Sequence, residues 1–225
     1  MRSCRPAVYR WLNVCLFAIA FAWIEAAVVF YLRTMVDRVD PYQSPPLPLV
    51  EGMVWVELVR EAATLLLLGA VGWLAGRTWV ARLGYALMAF GLWDIFYYVF
   101  LKPMTGWPRS LLDWDILFLI PLPWWGPVLA PLLIALLMVV WGTLVTQCPR
   151  LQRVALADGR VWAVNGLGIL LALYVFMADA IPVAPRGEAA LRELLPVAFH
   201  WPLFLVAWVL MAVPVGQLIR ARFSE

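Results

Sequence analysis

Five ionisable residues, Glu25, Glu57, Arg60, Glu61 and Asp94, lie inside long apolar runs of this 225-residue chain. A charged side chain at mid-bilayer depth costs ~2.5–3.5 kcal/mol or more, so such residues face a bundle interior and are paired or functional. Four carboxylates against one guanidinium leave a formal charge of −3 if all ionise. In a low dielectric that set must take up protons or bind a cation. Two chemistries follow: proton relay through a carboxyl group, and capture of a hard cation by carboxylate oxygens.

Spacing strengthens the grouping. Glu57 and Glu61 are four residues apart and share a helix face, with Arg60 in reach of either. Asp94, Tyr97, Tyr98 and Lys102 form a second polar stripe in WDIFYYVFLK. Further polar candidates sit nearer the ends of apolar runs: Asp113, Asp115, Asp179 and the single histidine, His200. The structural alternatives are a salt-bridge knot for Glu57, Arg60 and Glu61, and interhelical hydrogen bonding for Asp94 and the tyrosines. Interfacial hydration serves Asp113, Asp115 and Asp179, and a capping role serves His200. Gly69, Gly72 and Gly76 read as close-packing positions.

The elements that carry these residues must be transmembrane helices. Hydrophobic residues make up 65% of the chain and charged residues 14%, with a mean hydropathy of +0.87. Soluble domains carry about 25% charged residues, and a water-exposed fold has no means of hiding this much apolar surface. Stretches of ~18 or more apolar residues are long enough to cross a bilayer. The expected fold is all-α, with six spans near residues 11–32, 51–76, 79–101, 126–146, 161–181 and 198–219, in one transmembrane domain over 1–225. The first span is too long for a signal-peptide core, has no cleavage site after it, and reads as a retained anchor.

Two segments do not fit plain spans. PYQSPPLP (41–48) is too proline-rich for helix and predicts an extended outer loop. The run 111–145 is too long for one upright crossing and is broken by Pro121, Pro123, Pro127 and Pro131. It predicts a short interfacial or re-entrant helix over about 110–120, a break at IPLPWWGP, then the fourth span. Such a break is tolerated only against protein or water. Trp107, Trp114, Trp124 and Trp125 suit an aromatic belt there.

Depth ties the acids together. At ~1.5 Å of rise per residue, Glu57 lies about 9 Å from the outer end of the second span. Asp94 and Glu25 lie about 10 Å inside the outer ends of theirs, with Glu61 one turn deeper. Alternation of the spans puts these carboxylates in one layer whichever way the protein is inserted. The inner halves carry little polarity beyond Asn13 and Asn165. With the N terminus inside, ten basic residues fall on the inner side and six on the outer, which predicts cytoplasmic termini. Sixteen arginines against one lysine suggest a GC-rich bacterial source, and hence a bacterial cytoplasmic membrane.

Several functions are disfavoured. There is no dense basic run for nucleic acid and no glycine loop for nucleotide phosphates. One histidine makes no His-Glu-x-x-His zinc site, and no glycine-flanked serine forms a nucleophile elbow. Cys4, Cys15 and Cys148 lack metal-ligand spacing and predict free thiols. Cofactor and metal content stay open. Three readings remain. In the first, Glu25, Glu57, Glu61 and Asp94, tuned by Arg60, bind protons or cations in transport of a small solute or ion. In the second, a membrane-embedded enzyme acts on a lipid or isoprenoid substrate, with Tyr97, Tyr98 and Lys102 assisting. In the third, the chain is a non-catalytic subunit or assembly factor. The expected partners are the lipid bilayer and either further copies of the chain or a membrane subunit, without nucleic acid.

Overall fold

The computed structural model describes residues 8–43 and 53–224, apart from the side chains at 53, 54, 188 and 192. Among the described residues, six helices are long and apolar enough to cross a membrane: α1 (Val8–Met35), α2 (Met53–Ala75), α3 (Trp79–Thr105), α4 (Leu129–Gln147), α6 (Gly159–Met177) and α8 (Trp201–Phe223). The protein is therefore a polytopic, all-α membrane protein, as its composition requires. Short helices α5 (Pro149–Leu156) and α7 (Glu188–Arg192) lie in the connections. Large side chains such as Leu16, Trp55, Leu66, Leu74, Leu170 and Val209 are exposed on the outside of the bundle, an arrangement suited to hydrocarbon rather than water.

Helix ends follow local chemistry. Thr78 caps α3 by accepting a hydrogen bond from the Ala81 N–H at 3.2 Å, and Asp158 caps α6 through the Arg160 N–H at 2.9 Å. The other end of α3 closes at Gly106 with φ +75°, a left-handed conformation in which glycine has no steric penalty. The tight α2–α3 connection depends on small residues. A Cβ on Gly72 or Gly76 would lie within 2.8 Å of atoms of Arg82 or Ala86, whereas Gly69 faces open space. The packing role expected of all three glycines thus applies to two.

Helix α3 is the axis of the molecule. It packs against α1, α2 and most extensively α4, while α6 and α8 pair with each other and join through α4. Gly84 and Gly91 on α3 and Gly142 on α4 permit backbone approach: a Cβ on Gly142 would sit 2.3 Å from the Gly84 carbonyl oxygen. A core of Val80, Trp141, Val145, Leu151 and Leu218 closes the end of the bundle that holds the termini. Helix α2 rests on α3 and touches α1 only slightly, without extensive packing on α6 or α8.

The segment before α4 enters the bundle, but not as the helix expected over 110–120. It is an antiparallel hairpin of β1 (Trp114–Phe118) and β2 (Trp124–Pro127), pairing Trp114 with Pro127, Asp115 with Gly126, and Ile116 with Trp125. Its base is extended by Val128 N–H to Asp113 O (2.9 Å) and Leu129 N–H to Leu111 O (2.8 Å). The physical reason is the pairing of backbone polar groups. A short helix stopped by Pro121 would leave its last carbonyls unpaired at membrane depth, whereas two strands satisfy each other. Of the proline-rich loop, residues 44–48 lie outside the described residues. Its start packs on the hairpin, with Tyr42 stacked on Trp114 at 5.8 Å and donating to the Pro196 carbonyl at 2.6 Å. Cys15 is free and buried, but Cys148 is disulfide-bonded, which corrects the expectation of three free thiols.

Candidate functional site

Glu25 on α1, Glu57, Arg60 and Glu61 on α2, and Asp94, Tyr97 and Tyr98 on α3 all line one cavity of about 1110 Å³. The hairpin adds Asp115, Trp124 and Trp125, and α1 adds Arg33 from its last turn. The geometry divides the acids into engaged and unengaged groups.

Arg60 is a two-way clamp. Its Nε donates to Glu57 at 2.6 Å, one turn away on the same helix, and its Nη1 donates to Glu25 across the α1–α2 gap. The sequence allowed Arg60 to reach Glu57 or Glu61, and the partners found are Glu57 and Glu25. Thr64 Oγ1 lies 3.4 Å from the other Glu25 oxygen. Glu61 instead receives the Leu119 N–H, at 2.9 and 3.1 Å to its two oxygens. That bond anchors the inward tip of the hairpin to α2.

A second ion pair stands at the last turn of α1. Arg33 Nη2 meets Asp115 Oδ1 at 3.2 Å, both side chains being 10% exposed or less, and the Tyr98 hydroxyl donates to Asp115 Oδ2 at 3.1 Å. The guanidinium also lies 4.2 Å from the Trp107 ring centroid. Asp115 is on the hairpin rather than on a span. Burial pushes its carboxyl up to about 6, against the opposing pull of Arg33 and of the Tyr98 hydrogen bond.

Asp94 differs from all of these. It lines the cavity from the middle of α3, and no hydrogen bond or ion pair from the described residues reaches its carboxylate. Trp93 and Trp124 also line the cavity, and their indole N–H groups have no partner among the described residues. The cavity therefore offers, among the described residues, one carboxylate without a hydrogen bond or ion pair, beside neutral indole donors. Among the described residues, no three of His, Cys, Asp and Glu come together in a way that would hold a metal ion. The acids ring the space rather than converge as the six to eight oxygens of a hard divalent ion do.

The remaining candidates fall outside this wall. Lys102 is bound to the carbonyls of Pro108 and, at 3.4 Å, Gly106. Asp113 accepts from the Arg109 N–H at 2.7 Å and shapes a turn. His200 is exposed at the start of α8, and neither it nor Asp179 lines the cavity. Sequence reasoning assigned Arg33 to an outer loop and missed its role. The available signal was its position two turns above Glu25 on a continuous helix. It also missed the depth of the apolar wall, which runs inward past Phe90 and Met138 to Trp141 and Trp162. No known protein family, curated protein or solved structure matches the chain.

Proposed function

We propose that this protein is a transporter-like membrane protein in which Asp94 binds a proton or a cation during movement of a small solute or ion. The observation that carries the reading is the lone Asp94 carboxylate on the wall of a large intramembrane cavity, amid acids that are otherwise engaged. A carboxylate in such surroundings is stable only with a proton or a counter-cation beside it. That requirement is a binding function. The flanking acids serve instead to build the wall. Arg60 ties Glu25 to Glu57, Glu61 holds the hairpin, and Asp115 holds Arg33, so α1, α2 and the hairpin are fixed around Asp94. The arginine asymmetry supports a bacterial cytoplasmic membrane with both termini inside and the acidic layer in the outer half. Six spans are few for a lone carrier, which favours a homo-oligomer.

Dicyclohexylcarbodiimide tests the reading, because it is apolar and adds only to protonated carboxyl groups. The purified protein is expected to acquire one adduct on the peptide bearing Asp94, seen by mass spectrometry. Labelling should fall as pH rises and vanish in Asp94→Asn. An unlabelled Asp94 peptide at every pH, in protein that remains folded, would sink the proposal. The alternative of an enzyme acting on a lipid or isoprenoid substrate draws support from the same deep apolar wall, and would require turnover of a lipid by the purified protein.

A further inference from the structure

The cavity has two chemically unlike ends, and together they narrow the class of ligand. Near Asp94 the wall carries Glu25, Glu57, Glu61 and Asp115, so five carboxylates face two guanidiniums. Both guanidiniums already hold carboxylates. An anionic headgroup would meet excess negative charge and no unengaged cation. Towards the other end the wall is aromatic and aliphatic, through Leu87, Met138, Trp141 and Trp162. A small hydrated ion would leave that part of the 1110 Å³ unfilled, and a neutral lipid would leave Asp94 unpartnered. A cation with a bulky apolar body satisfies both ends, because aromatic faces attract cations and their apolar substituents alike.

We propose that the cavity binds amphipathic organic cations, with the charged centre at Asp94 and the apolar body against the aromatic wall. This rests on the reading of Asp94 as the proton or cation site and names what displaces the proton. One carboxylate cannot hold both, so binding of the organic cation releases one proton from Asp94 to water. No other bond forms or breaks. The exchange couples the two ligands with opposite sign.

Tetraphenylphosphonium and tetraphenylborate share a shape and differ in charge, so they separate the charge term from simple partition. With the full-length protein in nanodiscs, and empty nanodiscs as the blank, the phosphonium is expected to bind saturably and the borate not. Lowering the pH should weaken phosphonium binding, and binding should release protons into weak buffer. Asp94→Asn should weaken it about 30-fold or more, the effect of removing one partner of a buried charge pair, while Asp94→Glu retains binding. Prior carbodiimide modification should block it. Equal binding of both ions, or phosphonium binding indifferent to pH and to Asp94→Asn, would overturn the inference. Carbodiimide labelling of Asp94 without phosphonium binding would overturn the ligand class alone, and failure of labelling would overturn the proton site beneath it.

Discussion

At the scale of single residues, the Arg33–Asp115 pair shows how burial and pairing compete. Asp115 has a folded-state value of about 6 against an ordinary 3.8, because burial outweighs the attraction of Arg33. A carboxyl raised on folding favours the folded state most when protonated. Its contribution is complete below about pH 4 and is lost as the pH rises through about 6. Removing Arg33 deletes a lowering influence, so ionised Asp115 becomes still less tolerable. Arg33→Gln is therefore expected to cost about 3–5 kcal/mol near neutral pH, the usual penalty for orphaning one member of a buried pair. The deficit should shrink at about pH 5, where Asp115 is protonated. Adding Asp115→Asn should recover much of it, since replacing both partners leaves no orphaned charge. Thermal unfolding in detergent at the two pH values measures this, and an equal deficit at both would refute the assignment. Asp94 was legible in the sequence because an acid amid apolar residues at that depth needs a reason to be there. Arg33 was not, since a span boundary drawn by hydropathy stops one residue short of it while the helix continues to Met35.

Among the elements, the spans and the hairpin differ in what their sequence encodes. A run long enough to cross hydrocarbon has a helix as its only open-ended solution, so the six spans could be read from length and polarity. Residues 114–118 are a short apolar run, and periodicity alone does not separate strand from helix in so few residues. The strand exists because β2 lies opposite it, and that pairing is tertiary information. The proline break was visible, but the shape around it was not. The hairpin is held at its tip by the Leu119 N–H on Glu61, a bond to a charged group of the kind worth about 1.5–3 kcal/mol. Glu61→Ala should therefore speed amide exchange across 114–127 by about 10-fold or more, while exchange in α4 stays unchanged. Mass-resolved hydrogen exchange reads this directly. Uniform exchange before and after the substitution would show that the hairpin stands on its strand pairing and its base.

For the whole molecule, orientation in the membrane sets which compartment the acidic end of the cavity faces. An even number of spans puts both termini, the α2–α3 turn and the α4–α6 connection on one side, and the hairpin on the other. Two signals on the terminal side point in opposite directions. Ten of the basic residues lie there, which favours the cytoplasm. Cys148, at the end of α4, is disulfide-bonded, and disulfides persist in oxidising compartments. Basic residues act while the chain is being inserted, whereas a disulfide forms afterwards according to the compartment it finds, so the prediction follows the arginines. The expected outcome is that green fluorescent protein fused after Glu225 is fluorescent in cells and alkaline phosphatase at the same point is inactive. Active phosphatase together with a green fluorescent protein fusion that stays dark would invert the protein. The acidic layer would then face the cytoplasm, and an organic cation would meet Asp94 from inside.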